Sequence, residues 1–165
     1  MFRIGDLVAH PMHGAGVIDA IVQEKVAGKT EEYYVFKMPV GGLLLKIPVA
    51  NSEAIGLRAI ISPEEADALI ADMPALEVEN SANWNKRYQE NLQRLKSGDL
   101  REVSRVIKGL MTRDTRRGLS TGERKMLQTA KRILISEIVL TQNAEYGDVE
   151  ARIECAMELS PSLAQ

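Results

Sequence analysis

The two histidines and the single cysteine of this 165-residue chain are the side chains best suited to metal binding or nucleophilic catalysis. His10 and His13 could supply two metal ligands, but a protein site needs three or four, and no cysteine or acidic cluster at ligand spacing accompanies them. Pro11 and Gly14 beside them are typical of a strand end and a turn. Cys155 falls in a predicted amphipathic helix with no neighbouring histidine to activate its thiol. We therefore predict neither a metal site nor a cysteine nucleophile.

Signatures of other enzymes and of membrane or secreted proteins are also missing from the sequence. It contains no Gly-rich phosphate loop, no Gly-x-Ser-x-Gly elbow and no dinucleotide fingerprint, so we predict a protein that is not an enzyme and needs no cofactor. One cysteine cannot form an internal disulfide, and no apolar run approaches the roughly 18 residues that span a bilayer. We expect a soluble cytoplasmic protein with no membrane partner. A metal-dependent enzyme built on His10 and His13 remains an alternative, and it would contain stoichiometric metal.

The charged residues are distributed unevenly, although the net charge of the chain is only −2. Residues 83–132 hold 14 basic and 5 acidic side chains, a segment charge of +9, whereas residues 1–82 carry −6 and residues 133–165 carry −5. A local positive field attracts a polyanion whatever the distant charges sum to. The cationic middle of the chain therefore favours a nucleic-acid partner.

Helical spacing places these basic residues on definite faces. On one predicted helix Arg101, Arg105 and Lys108 follow i, i+4, i+7 and share the side opposite the apolar residues. On the next predicted helix four basic residues fall within an arc of about 120°, at 100° per residue; they are Arg124, Lys125, Lys131 and Arg132. The block contains few acids to form intrahelical ion pairs, so we favour phosphate binding over the alternative of a solvated helix surface.

Trp84 is the only tryptophan and stands at the start of the cationic segment. Its spacing to Tyr88 and Leu92 would let the indole continue an apolar helix stripe and pack in the core. In the other interpretation it is an exposed flat side chain that stacks on or wedges beside a base, while Lys86 and Arg87 hold phosphates. The residues alone leave both interpretations open.

The pattern of apolar and turn residues predicts an α+β protein, with a small antiparallel β-barrel module followed by a compact all-α domain. Residues 1–60 consist of short runs rich in Val, Ile, Leu and Tyr separated by turn residues. The predicted strands are Leu7–His10, Gly16–Gln23, Glu32–Met38 and Leu43–Val49. Alternation within Glu32–Met38 predicts that Tyr34, Phe36 and Met38 face the core.

From Ser62 onward the apolar period is helical. Ser62-Pro63-Glu64-Glu65 is a capping box that opens a helix ending at Pro74, and residues 74–82 are predicted to form a linker. Asn80 or Ser81 is expected to cap the next helix. Asp99 and Ser120 are expected to cap the two that follow, and a last helix is predicted over 146–158. Residues 83–160 thus form a four-helix domain with short connections.

Three blocks of sequence, in order along nearly the whole chain, carry a family resemblance. The first is FRIGD at 2–6 with HPMHG at 10–14, the second is NWNKRY at 83–88 with LKSGD at 95–99, and the third is RD at 113–114 with GLSTGERKML at 118–127. Together they resemble the CarD/CdnL family of bacterial transcription regulators. The spacing of the blocks is also similar to that of the family.

The resemblance implies a non-catalytic factor with three parts. Residues 1–60 would form a Tudor/SH3-like RNA polymerase interaction domain that docks on the β subunit, as in the transcription-repair coupling factor. Residues 61–82 would form a helix and a linker, and residues 83–160 a helical domain that contacts promoter DNA at the upstream edge of the melted region. The function implied is stabilisation of the promoter open complex. The implied partners are the polymerase β subunit and promoter DNA. The DNA would be contacted through its minor groove and backbone, without sequence specificity. The protein would be a monomer that is associated with the nucleoid through the polymerase.

The resemblance also assigns candidate residues. The tryptophan of the family acts as a minor-groove wedge and corresponds to Trp84, which favours the exposed interpretation. With the basic arc described above, the candidate DNA-binding residues are Trp84, Lys86, Arg87, Arg124, Lys125, Lys131 and Arg132. The candidate polymerase-binding residues are Lys46, Ile47 and Pro48.

Three positions depart from the pattern of the family. Lys46 stands where arginine is common and cannot make the same planar bidentate contact. Glu24 and Gln89 stand where some relatives carry cations, so affinity for polymerase and for DNA can each differ. The alternative function is that of a polymerase-bound adaptor that recruits another protein without touching DNA.

Overall fold

The computed structural model describes residues 1–78 and 82–158 of the chain. Five strands occupy the first part: β1 (Leu7–His10), β2 (Gly14–Val26), β3 (Lys29–Lys37), β4 (Leu44–Pro48) and β5 (Arg58–Ala59). Six α-helices are present in the described ranges: α1 (Ser52–Ile55), α2 (Pro63–Asp72), α3 (Trp84–Lys96), α4 (Leu100–Arg117), α5 (Thr121–Gln142) and α6 (Tyr146–Glu158). The predicted fold class, an antiparallel β module followed by helices, is confirmed. The predicted linker at 74–82 and the predicted domain end at 160 lie partly outside the described residues.

The five strands form one antiparallel sheet in the order β4-β3-β2-β1-β5, so β4 lies at one edge. The predicted alternation is confirmed, because Tyr34, Phe36 and Met38 are buried and join Ile18 and Ile47 in the core of the module. The register between β2 and β3 shifts after Ile18, a bulge that bends the long strand.

The β2–β3 hairpin is longer than the sequence indicates. Pairing continues to Val26 opposite Lys29, which leaves Ala27 and Gly28 as a two-residue turn. Both turn residues have positive φ, 53° and 80°, the arrangement of a type I′ turn that matches strand twist. The polar residues of this end carry no apolar pattern, which is why the predicted strands Gly16–Gln23 and Glu32–Met38 stop short.

The helices pack around a second and larger apolar core. The capping box at the start of α2 is formed by Ser62 and Glu65, and Ala66 of the same helix is fully buried in the helical core. Asp99 caps α4 and Ser120 caps α5, as predicted. No helix in the described ranges is long and apolar enough to cross a membrane.

The cap of α3 differs from the prediction. Asn83 has extended backbone dihedrals, and its side-chain oxygen accepts a hydrogen bond from Lys86 N at 3.1 Å. It is therefore the N-cap residue, in place of Asn80 or Ser81, which both lie outside the described residues. The sequence offered three polar residues capable of capping, and only the backbone conformation distinguishes them.

The β module packs directly on α5. The ideal Cβ position of Gly14 lies only 2.4 Å from Ser136 Oγ, and the same hydroxyl accepts a hydrogen bond from Ala15 N at 3.0 Å. Nearby, Arg58 donates two hydrogen bonds to the buried carboxylate of Glu137, at 2.8 and 2.9 Å. These contacts join the two cores through one helix.

Candidate functional site

Trp84 lies on the surface at the start of α3, with 41% of its area exposed. Its indole stacks on Tyr88, with ring centroids 5.1 Å apart and planes inclined by 18°. The indole Nε1 donates a hydrogen bond to Ser120 Oγ at 3.2 Å. The interpretation in which Trp84 packs in the core is wrong, because the indole extends the apolar stripe of α3 only at its exposed end, and full burial is reached at Leu95.

The start of α5 forms the platform on which this indole rests. Ser120 caps the helix, and its hydroxyl accepts a hydrogen bond from Glu123 N. A Cβ at Gly122 would lie 3.6 Å from the Tyr88 ring and 3.7 Å from the Trp84 ring, so both aromatics pass close over this glycine. The positive end of the dipole of α5 points at the same place.

Exposed cations surround the platform. Lys86 is exposed one turn into α3, 3.9 Å from Glu90, and Arg124 and Lys125 are exposed in the first turn of α5. Two further members were not predicted from the sequence: Arg116 and Arg117, which are exposed in the last turn of α4. The signal that could have found them is the short connection at 118–120, which brings the end of α4 to the start of α5.

The charges of this cluster are left available by the fold. Among residues 1–78 and 82–158, no carboxylate forms an ion pair with the two arginines of α4 or the two cations of α5. These four residues are Arg116, Arg117, Arg124 and Lys125. Surface helices ordinarily carry such pairs, so a concentration of uncompensated cations beside an exposed indole suits a polyanion.

Arg87 is not part of this exposed surface, which corrects its predicted role as a phosphate contact. It is 2% exposed, and its Nε donates to Glu123 Oε2 at 3.1 Å. Burial would raise the pKa of Glu123, but the hydrogen bond and charge of Arg87 and the hydrogen bonds of Ser120 outweigh it, so that pKa lies below its ordinary value. Arg87 follows Trp84 by three residues and is therefore its neighbour along α3, on the buried side of the helix.

Lys131 and Arg132 are also directed away from the indole. Lys131 pairs with Glu154 Oε1 of α6 at 3.0 Å. Arg132 lies near His13 at the contact with the β module, where the burial of the imidazole and the charge of Arg132 lower the pKa of His13. The four basic residues of the predicted arc do lie on α5, but α6 contacts Lys131 and the β1–β2 turn contacts Arg132. These two cations are therefore structural, and only Arg124 and Lys125 of the arc lie on the exposed platform.

Lys108 is buried, so the predicted basic face of α4 is not fully available to phosphates. It is 4% exposed and donates hydrogen bonds to three backbone oxygens at the end of the α2 segment, those of Met73, Pro74 and Leu76. Desolvation lowers its pKa. Arg101 pairs with Asp72 at 3.2 Å on the same side. The segment after α2 therefore covers this side of α4 at Lys108, whereas Arg101 stays exposed.

The strand predicted to bind polymerase lies at the sheet edge, but its residues face two ways. Lys46 is exposed and forms an ion pair with Glu24 across β3. Ile47 is 4% exposed and belongs to the core of the β module, so its side chain does not face a partner and only its backbone can take the predicted role. Pro48 is half-buried, and Leu44 on the outer face is 59% exposed. Strand alternation separates Ile47 from its neighbours.

The two histidines meet in the β1–β2 turn. Their ring centroids are 4.5 Å apart, and His10 Nδ1 accepts a hydrogen bond from Met12 N at 3.1 Å. Burial and the charge of His13 lower the pKa of His10 to about 4. Within the described ranges, no three His, Cys, Asp or Glu side chains group in a way that could hold a metal ion.

Comparison with known proteins gives matches to both parts of the chain. Residues 2–61 match the family described as CarD-like/TRCF RID domain, and residues 68–154 match the family described as CarD, C-terminal domain. The chain is 30% identical over 138 residues to the candidate transcription factor YdeB of Bacillus subtilis (strain 168). That alignment covers 84% of this chain and 90% of the relative. Trp84 and the start of α5 both fall inside the C-terminal match.

Proposed function

The chain belongs to the CarD family of transcription factors, which implies an interaction with RNA polymerase, and from that premise we propose that it stabilises the promoter open complex. In this proposal the β module docks on the polymerase β subunit. The helical part then contacts DNA at the upstream edge of the bubble. The observation that carries the proposal is the half-exposed indole of Trp84 on the capped end of α5, among cations that have no carboxylate partner in the described residues.

Docking on polymerase is supported by the edge position of β4. An edge strand has unpaired backbone N–H and C=O groups and can accept a partner strand. The outer face there carries the exposed Leu44 and Lys46, which can contact side chains of the partner. Glu24 pairs with Lys46, so the charge presented by this face is lower than the lysine alone would give.

Contact with DNA combines weak phosphate binding with an aromatic wedge. Cations in the first turn of α5 and the last turn of α4 would contact phosphates in a manner independent of sequence and sensitive to salt. Docking on polymerase raises the local concentration of these groups at the promoter, so individually weak contacts suffice. The indole inserts where base stacking is already broken and therefore stabilises melted DNA more than closed DNA.

The size of the effect follows from one aromatic stack. Stacking of a base on an aromatic side chain contributes about 1–3 kcal/mol, which corresponds to about a five- to hundredfold shift of the opening equilibrium. The shift of the opening equilibrium depends only on the difference between the stacking free energies of the indole with melted and with closed DNA.

The deciding experiment measures the lifetime of open complexes formed by polymerase with wild-type protein, Trp84→Phe and Trp84→Ala. We expect Trp84→Ala to shorten the lifetime to that of polymerase without the factor, and Trp84→Phe to be intermediate because one ring is retained. Circular dichroism and binding to polymerase serve as controls for the fold and for docking. An unchanged lifetime with Trp84→Ala, with the fold and docking intact, contradicts the wedge.

Docking and the adaptor alternative have separate tests. In a pull-down with isolated N-terminal lobes of the β subunit, we expect Lys46→Glu to weaken capture. The substitution reverses the charge on the proposed docking face and places two like charges side by side at Glu24. Glu24→Gln is expected to retain capture, and Lys96→Glu in α3 is the charge-matched control. The adaptor function predicts that Lys125→Glu leaves promoter opening unchanged, whereas DNA contact predicts that opening is impaired.

A further inference from the structure

We propose that Glu123 is a positioning residue for Trp84: through Ser120 and Arg87 it fixes the indole in its exposed, DNA-facing orientation. This inference rests on the proposed wedge function, because orientation matters only if the indole is used. The residue is not a DNA contact itself, since 3% of it is exposed.

The contacts form a closed ring from Trp84 back to its own helix. The indole Nε1 donates to Ser120 Oγ at 3.2 Å, and that hydroxyl donates to Glu123 Oε1, also at 3.2 Å. The other carboxylate oxygen of Glu123 accepts from Arg87 Nε at 3.1 Å. Arg87 lies one turn after Trp84 in α3, so the ring joins the two helices on both sides of the indole.

Ser120 is suited to be the junction of this ring. A hydroxyl has one proton to donate and two lone pairs with which to accept. Here it accepts from the indole N–H and from Glu123 N, and it donates to the Glu123 carboxylate. Its capacity is therefore fully used, and the direction of its proton is set by Glu123. With the proton so directed, the lone pair that receives the indole N–H has a fixed direction.

The burial of the ion pair indicates a role beyond stability. Arg87 and Glu123 are 2% and 3% exposed, and Arg113 Nε lies 3.7 Å from the same carboxylate. Buried ion pairs are often no more stabilising than apolar residues of similar size, because desolvation offsets their attraction. They can specify one geometry, since a buried charge without its partner is costly. The geometry specified here is the contact of α3 with the start of α5, where the indole rests.

An indole fixed in advance gives up less side-chain freedom when it inserts into DNA. Ordering a side chain at an interface costs free energy, so a wedge that is already oriented retains more of its stacking energy. The stack on Tyr88 and the close passage over Gly122 restrict the plane of the ring, and the hydrogen bond to Ser120 fixes the position of its Nε1 edge. Glu123 controls this last constraint.

The single tryptophan of the chain allows a direct measurement. The indole N–H resonance and the steady-state anisotropy of Trp84 are to be compared in wild type, Glu123→Gln and Ser120→Ala. We expect both variants to shift the resonance and lower the anisotropy. Their effects should not add, because both act on one hydrogen bond. The matched control is Glu137→Gln, which removes the charge of a second buried carboxylate of α5, paired with the partly exposed Arg58 far from the indole.

A structural role alone would affect Glu123→Gln and Glu137→Gln alike in thermal unfolding and leave the indole signals unchanged. That outcome would overturn the proposal. If Glu123→Gln does not fold, Ser120→Ala carries the measurement, since that residue is exposed and its carboxylate partner stays paired with Arg87. No change in the indole signals of Ser120→Ala would likewise overturn it.

The functional arm is a double-mutant cycle in open-complex lifetime. We expect Glu123→Gln to shorten the lifetime by at least about threefold in the wild-type background and to have no effect in the Trp84→Ala background. An equal effect in both backgrounds, or none in the wild type while Trp84→Ala shortens it, overturns the positioning role. If Trp84→Ala has no effect, the wedge function itself fails, while the indole signals still report whether Glu123 orients the ring.

Discussion

Lys108 lies beneath the segment that follows α2, with its ammonium group among three backbone oxygens. Helical spacing correctly places it with Arg101 on the side of α4 away from the apolar stripe. Spacing alone does not show that the chain returns to cover that side. The same limit applies to Arg87, where a partner 36 residues away along the chain, Glu123, determines its burial. A sequence identifies charged faces, but long-range packing determines which are exposed.

We predict that Lys108→Met lowers the free energy of unfolding by about 3 kcal/mol, because it removes every hydrogen bond that the ammonium group donates to the three oxygens. The measurement is urea denaturation followed by circular dichroism. Arg101→Met on the same helix is the control, since its exposed pair with Asp72 should contribute less than about 1 kcal/mol. Equal decreases in the two variants would show that the buried hydrogen bonds of Lys108 do not contribute as described.

At the scale of elements, α5 connects the β module with the platform of Trp84. Its first turn forms that platform, and its fifth turn contacts the start of β2 through Ser136. The sequence predicted the caps of α2, α4 and α5, the apolar stripes and most strand positions, because each depends on residues close together in the chain. It did not predict the packing of the β1–β2 turn on α5, whose hydrogen-bonded residues are 121 positions apart.

Gly14 is the residue that permits this close approach. We predict that Gly14→Ala destabilises the protein by about 1–3 kcal/mol more than Gly28→Ala, because overpacking adds to backbone strain. Both glycines have positive φ, 108° and 80°, but a Cβ at Gly28 meets nothing within 4 Å, whereas one at Gly14 meets Ser136 Oγ. Chemical denaturation of the two variants isolates the steric contribution. Similar destabilisation of both variants would mean that the turn moves away without cost.

The same turn makes stability depend on pH. The folded-state pKa of His10 is about 4, below its ordinary value of 6.5, through burial and the nearby charge of His13, which itself lies close to Arg132. The unfolded chain therefore binds more protons at intermediate pH, so stability is full above pH 6.5 and decreases as pH falls toward 4. Protonation also removes the acceptor for Met12 N.

We predict that the melting temperature decreases between pH 7 and pH 5, and that the decrease is smaller in His10→Gln, whose side chain can accept the same hydrogen bond but does not titrate. Differential scanning calorimetry at constant ionic strength provides the measurement. Identical pH profiles for the two proteins would exclude His10 as the titrating group.

At the scale of the whole molecule, the distribution of charge matters more than the net charge of −2. The sequence places most of the positive charge in residues 83–132. In the structure, most of the exposed cations of this segment that have no carboxylate partner among the described residues lie at one end of the helical part. Several cations of that segment are paired or buried, including Arg87, Lys108 and Lys131. Few cations remain for the proposed phosphate binding, so the proposal requires that docking on polymerase supplies most of the affinity for promoters.

We predict that substitution of Arg116 and Arg117 by glutamine lowers the slope of log affinity against log salt for fork-junction DNA, by about 0.9 for each phosphate that the protein no longer neutralises. Titrations of labelled DNA at several salt concentrations measure this slope. Lys131→Gln is the matched control, since Lys131 already pairs with Glu154 and should not affect the slope. Equal slopes for all three proteins would place the DNA-binding surface elsewhere.

The free edge at β4 has a consequence for the protein when its partner is absent. The backbone groups that can pair with a polymerase strand can also pair with the same strand of a second copy, and the exposed Leu44 would add apolar contact. Lys46 places like charges opposite each other in such a pair, and Pro48 lacks the N–H that would extend the ladder. The strand proposed to dock therefore carries its own protection against aggregation, and we expect a Lys46→Val protein purified without polymerase to form extended intermolecular sheets.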